Sequence, residues 1–575
     1  MTLGLEPGNV CATEGTAMSV PVEPSMNTAG NPAYIPFKQE PGPDPKAAAQ
    51  RVMDTGDRRF MVDNYEARMI ALAHELGKGD PLYREQLMEE IFRLDHGALQ
   101  SWLTPGRVNL LTQQGHISKV EQSQIAESLA AAYNNNDIPM RHAVPNINSG
   151  SGQFNYSSLD DLVWEPSSAS APGARAEKAQ HIREFLDLMN SSSGPETAKF
   201  RQNYAQHLIK EYVVNPKAAG TDQQQVAAVI ATNLLGGSDK AADVLAQYDD
   251  AQIQTILESA SKGIDTLAIK GANISYNGHL LENVDIPDGA AALISSIANT
   301  SNTNAHKVAG SIARLPAQSP DMFKGDLGKG RADAMGNLFV NHSDAILKRF
   351  TEYDKRHVGG SDHPSLQQFG LNSAELGSLF RTVLFNKDAP YADAARAKVL
   401  EYATTLKKEA NQPAGSADAE HRLAMLSASA GDALTQGWNE LKKDKDGKKE
   451  MIGFFVDLAF AALPTDKLNG QASKAIGALF GGDTPRAGQI EELLKPVEGS
   501  LFDAATGKLT DSGKEAVLKA LGEDAAELVE QQDAVIVLQN SLTSGLNEDS
   551  KGDVETDDTA ITANLNGWRA EGGVA

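Results

Sequence analysis

The sequence predicts a mainly α-helical protein of several units, with one small inserted β-hairpin and disordered termini. Three observations predict it. Apolar residues recur at three- and four-residue steps through most of the chain. Helix-start chemistry precedes many of those stretches. Pro, Gly, Ser and acidic residues gather at the two ends. A chain of 575 residues is long enough for two to four structural units. Aromatic residues make up only 6% of it, which suits small-residue helix packing better than an aromatic-rich sandwich.

Residues 1–50, with stretches such as PSMNTAGNPAYIPFKQEPGPDP, bury too little apolar surface to offset their ordering entropy, and read as a disordered segment and a possible export signal. A helical unit follows over 51–144. Tyr65, Met69 and Leu72 fall on one helical face, and Pro81 opens LYREQLMEEIFRL. Thr104-Pro105 starts another helix, and Ser118 with Glu121 has capping-box spacing. Residues 145–175 form a linker. A central helical unit occupies 176–411. Within it, residues 266–286 alternate around Asn277-Gly278, the strongest short hairpin signal. The C-terminal helical unit spans 412–546 and carries a hydrophobic hairpin over 451–482. Residues 547–575 form a disordered acidic tail.

Charge and cysteine content exclude several functions. With 52 basic and 76 acidic residues the net charge is −24, so phosphate backbones repel the chain and nucleic acid is not an expected partner. Cys11 is the only cysteine, which leaves no intrachain disulfide and no Cys-based metal site. That composition fits a cytoplasmic protein and equally a bacterial protein exported unfolded. The N-terminus lacks the basic start and apolar core of a Sec signal, and no run of about 18–20 apolar residues predicts a membrane span.

No catalytic signature stands out, and no cofactor is expected. His74-Glu75 begins like a zincin motif but meets Lys78 where the second ligand belongs, so Gly77 reads as a helix stop. Gly325-Asp-Leu-Gly-Lys-Gly-Arg331 lacks the Ser or Thr of a phosphate loop and reads as a helix-start loop. Asp503–Asp511 is an incomplete calcium loop, in which Thr510 or Asp511 is better placed as an N-cap. The best local His/Asp cluster is His357, Asp362 and His363, a metal or proton-transfer candidate in a stretch that otherwise reads as an exposed interhelix loop punctuated by Gly and Pro.

The most distinctive feature is the hydrophobic hairpin. Met451–Leu463 reads MIGFFVDLAFAAL with one charge, Asp457, and Ala472–Gly482 reads ASKAIGALFGG. Phe454, Phe455, Phe460, Ile476, Gly477, Leu479, Phe480 and Gly481 are its candidate membrane- or partner-contact residues. Thirteen helical residues cover only about 20 Å of a bilayer core about 30 Å thick, so one arm does not span it. Ser473, Gly477 and Gly481, four apart, permit close helix contact in water or lipid. A buried core hairpin in the resting protein is the simpler reading, and delivery followed by insertion is compatible with it. Acid is expected to favour insertion by neutralising Asp457.

In outline the whole chain resembles the NolX/HrpF-like translocators of plant-associated type III secretion systems: a Pro/Ser/Gly-rich start, Cys11 alone, an acidic helical body and a late hydrophobic patch. No family motif carries residue roles across. The resemblance implies export through a needle apparatus, with bacterial secretion machinery or a chaperone as one partner and a host membrane or host protein as the other. The expectation is therefore a secreted virulence protein, translocator or effector, acting by contact. The alternatives are an enzymatic effector, or a helical scaffold or delivery region of a toxin system. The sequence assigns no oligomeric state and no catalytic residue.

Overall fold

The computed structural model describes residues 43–55, 61–95, 98, 102–135, 172–215, 220–267, 269–276, 279–354, 371, 373–385, 390–410, 426, 430, 433, 445–460, 472–481, 485–503 and 508–522. Most of these residues are helical. One antiparallel strand pair, Ile269–Tyr276 with His279–Val284, lies among them, with an irregularity between Lys270 and Ile274. Asn277-Gly278, Cys11, Trp164 and the acidic tail fall outside the described residues, as do His357, Asp362 and His363.

The packed body begins earlier than composition suggests. Pro45–Asp54 is a helix whose Ala48, Ala49 and Val52 are fully buried. Proline sits at its first position, and the alanines at 47–49 are good helix formers. That helix packs on Met61–Leu76 and Pro81–Leu94, so packed helical structure begins at Pro45, ahead of the boundary expected at residue 50.

Local rules account for many helix ends. Asp80 caps Pro81–Leu94 by accepting from Tyr83 N–H at 2.8 Å. Thr104 caps Pro105–Gln113. Ser118 and Glu121 form a reciprocal capping box on Lys119–Asn134. Met61–Leu76 ends at Gly77, whose N–H donates to Ala73 O at 3.1 Å. Gly325, at φ +70°, turns the chain into the Gly325–Asp354 helix; that conformation strains any residue with a Cβ. The stretch resembling a phosphate loop is thus the first turns of that helix.

Units separated by the expected 145–175 linker share a core. Lys119–Asn134 packs on Pro195–Leu208, and Pro105–Gln113 packs on Pro172–Asn190. The seam is aromatic: the Phe200 ring stacks between Tyr133 at 5.1 Å and Tyr204 at 5.6 Å. Glu127 reaches across it and accepts from the N–H groups of Glu196 and Thr197, capping the Pro195–Leu208 helix in trans. That helix runs into a π-helical turn, Ile209–Val214.

The centre of the body is the helix Thr221–Leu235. Every residue from Val226 to Leu235 is buried, as an all-round apolar helix requires. Pro195–Leu208, Asp250–Leu267, Gly289–Ala298 and the π-helical turn surround it. Gly263 lets one neighbour approach so closely that a Cβ there would stand 2.6 Å from Gln225 O. Its buried polar groups are satisfied: Thr232 Oγ1 donates to Ala228 O at 2.8 Å, and Asn233 Nδ2 to Val229 O at 2.9 Å and Pro287 O at 3.1 Å.

Two buried arginines tie the outer helices down. Arg314 bonds Asp250 at 2.7 Å, and Arg331 bonds Asp288, the cap of Gly289–Ala298, at 2.7 Å. Removing one member of such a pair leaves a buried charge uncompensated, at a cost of roughly 3–5 kcal/mol.

Candidate contact site

The hydrophobic hairpin forms two described helices, Lys445–Phe460 and Ala472–Gly481. Lys445–Phe460 packs on Asp511–Leu521 and Ala392–Ala410, while Ala472–Gly481 packs on Pro485–Leu494. The two arms meet through the Phe455 and Phe480 rings, whose centres are 5.8 Å apart. Met451, Ile452, Phe454, Phe455, Val456, Leu458, Ala472, Ile476 and Phe480 are each no more than 3% exposed. Phe454 also meets Phe385 edge to face at 5.9 Å. Phe460, Leu479 and Gly481 lie in the same two helices, with side-chain environments outside the described set.

The small residues at four-residue spacing face different neighbours. A Cβ on Gly477 would stand 2.6 Å from Ala487 O, so glycine here lets the second arm lie against the backbone of Pro485–Leu494 rather than against the first arm. Ser473, 3% exposed, donates from Oγ to Glu498 Oε1 at 2.9 Å and from its backbone N–H at 3.2 Å. Glu498 thereby places a carboxylate at the positive end of the second arm.

Polar groups also fasten the first arm. Leu509 N–H donates to Asp457 Oδ1 at 2.7 Å. Leu509 is held in place by a bridge to Phe502, and Thr510 N–H donates to Leu501 O at 2.9 Å. Lys514 runs its aliphatic stem across Gly453, where a Cβ would meet Lys514 Cδ at 2.8 Å, and ends 3.2 Å from Glu450. Arg396 stands 3.7 Å from the same carboxylate. Burial is the main influence on the Asp457 carboxyl and pushes its pKa up to about 6; the Leu509 N–H, Lys514 and Lys508 oppose the rise, and Glu450 adds to it.

Sequence reading found the two apolar arms and missed their fasteners. Leu509 and Lys514 sit in or just beyond the stretch resembling an incomplete calcium loop. There Thr510 acts as the cap, accepting from Gly513 N–H at 2.9 Å. Nothing local in the sequence links Asp457 to Leu509 or Ser473 to Glu498.

Among the described residues, no helix is long and apolar enough to cross a membrane, and no group of three or more His, Cys, Asp or Glu side chains is placed to hold a metal ion. No protein-family model, curated protein or solved structure matches this chain.

Proposed function

We propose that this is a secreted bacterial protein, of translocator or effector type, that acts on a host by membrane or protein contact through Met451–Gly482. The observation carrying the reading is how that segment is kept: its described apolar side chains are buried, and polar groups from residues 498–514 fasten it. The pairs are Asp457 with Leu509, Ser473 with Glu498, and Glu450 with Lys514. Hydrogen bonds and ion pairs exchange with water at a net cost of about 1 kcal/mol each, so the larger cost of opening is exposure of the buried apolar side chains, about 1.5–3 kcal/mol each, which a membrane or partner surface would cover again. The export step rests on the composition of residues 1–50, the single Cys11 and the acidic body.

Asp457 changes the expected role of acid. Its folded pKa of about 6 lies above the unfolded value near 3.8, so its ionisation penalises the closed state at neutral pH. That penalty, roughly 2–3 kcal/mol, fades as pH falls from 6 towards 4. Acid therefore tightens the closed hairpin while lowering the cost of placing Asp457 in lipid, itself roughly 2.5–3.5 kcal/mol. The two effects oppose one another at similar size. Contact with a membrane or partner, rather than acid acting through Asp457, is the trigger this reading favours.

Liposome leakage tests it, with Gly477→Leu and Phe455→Asp beside the wild type. The expected result is leakage by wild type at pH 7 that Phe455→Asp abolishes. Absence of leakage at both pH 7 and pH 5, with Met451–Gly482 resistant to proteolysis throughout, would make the hairpin ordinary core. A reporter fused to residues 1–50 separately tests export.

A further inference from the structure

The Gly325–Asp354 helix leaves helical geometry at His342, where φ is −122° and ψ 19°. This side chain is 2% exposed, yet it is an imidazole rather than an apolar group. Its Nε2 lies 2.9 Å from Ile297 O, and its Nδ1 lies 3.0 Å from Nδ1 of His306, on the neighbouring helix Thr303–Ile312. A carbonyl only accepts, so Nε2 of His342 carries the hydrogen. Neutral His342 therefore presents a lone pair on Nδ1, aimed at His306.

His306 is exposed. Without a bound ion its Nδ1–H donates to His342. If its hydrogen moves to Nε2, which water can satisfy, two lone pairs converge from two helices. Two imidazole nitrogens bound cis to one ion at about 2.0–2.1 Å stand about 2.9 Å apart at a right angle and about 3.3 Å apart at the tetrahedral angle. The 3.0 Å separation found here matches the right-angled edge. The ring centres are 5.0 Å apart and the ring planes 77° from parallel; an ion would sit beside the Nδ1···Nδ1 line, so both rings must pivot off the hydrogen-bond axis to bind it. The bond from His342 Nε2–H to Ile297 O is the outer contact that orients metal-binding histidines.

We propose that His306 and His342 form a two-imidazole site for a divalent transition-metal ion preferring tetragonal geometry, Cu2+ or Ni2+ before Zn2+, with water completing the shell. Binding forms two metal–nitrogen bonds in place of two metal–water bonds, releasing two waters, and breaks the Nδ1–H···Nδ1 hydrogen bond; the His306 proton moves to Nε2, so no oxidant or reductant is needed. Burial, followed by the neighbouring His306, holds the His342 pKa below its usual value and favours the neutral ring a metal requires. The ion would pin Thr303–Ile312 to the kink of Gly325–Asp354.

The test is calorimetric titration of the full chain at pH 7.5 with Cu2+, Ni2+, Zn2+ and, as control, Mg2+, on wild type and His306→Ala. His306 is exposed, so this variant should retain the wild-type circular dichroism spectrum. The expected result is one equivalent of Cu2+ or Ni2+ bound by wild type and at least tenfold weaker binding of that equivalent by His306→Ala. Nitrogen splitting in the paramagnetic resonance spectrum of the Cu2+ adduct should shrink in parallel. Equal stoichiometry and affinity in the two proteins, or no binding by wild type, would leave the pair a hydrogen bond only. His342→Gln is a second probe if it folds; if it does not, His306→Ala decides alone.

Discussion

The central helix Thr221–Leu235 and the C-terminal hairpin Met451–Gly482 are both apolar and both buried, but they are held in different ways. Neighbours enclose the central helix on all sides, with backbones meeting at Gly263 and the polar Thr232 and Asn233 satisfied largely by the helix itself. Side chains on other elements fasten the hairpin: Glu498, Lys514 and the turn that presents Leu509. Burial alone therefore does not tell the two segments apart; the source of their fastening does. Both segments press on a neighbouring backbone, at Gly263 and at Gly477, so they differ in their polar fasteners, which lie largely within the central helix and come from other elements in the hairpin.

The largest effect should come from breaking the central contact. Gly263→Leu would drive carbon into Gln225 O and Val229, and overpacking against fixed backbone costs about 3 kcal/mol or more. Urea unfolding should show a lower midpoint for the whole body. A normal midpoint would mean that Thr221–Leu235 is less tightly enclosed than described. Gly477→Leu should cost about 1–3 kcal/mol by the same mechanism against Ala487 O. Its effect should be local: proteolysis should quicken within Met451–Gly482 while the midpoint of the central body holds. A matching loss in both regions would erase the contrast.

Asp457→Asn should move stability the other way. It removes an ionisation that burial disfavours, so at pH 7 the variant should gain roughly 1–2 kcal/mol over wild type. Below pH 4 both are neutral and the gain should vanish. A loss at pH 7 would show that the charged acceptor for Leu509 N–H outweighs desolvation. The smallest effect belongs to Glu498→Gln, about 1 kcal/mol, since the amide keeps an acceptor for Ser473 but loses the charge at the helix start. It should appear as faster hydrogen exchange in Ala472–Gly481.

The sequence made local features legible because their causes are local. The Ser118–Glu121 box, the Thr104-Pro105 start and the Gly77 stop need only neighbours within a few residues. The two apolar arms were equally readable from their run of side chains. The buried face of Pro45–Asp54 was hidden by the Pro- and Gly-rich composition around it. Contacts across long separations were hidden for a different reason. Asp457 meets Leu509 across 52 residues and His306 meets His342 across 36, and no periodicity encodes either pairing.

The most direct test of the central claim is hydrogen exchange by mass spectrometry at pH 7, comparing Val226–Leu235 with Met451–Leu458, with and without liposomes. The account predicts that the hairpin amides open at a lower free energy than the central helix, and that liposomes change exchange in the hairpin alone. If both segments exchange together through global unfolding, and liposomes alter neither, the hairpin is permanent core and the contact function is contradicted.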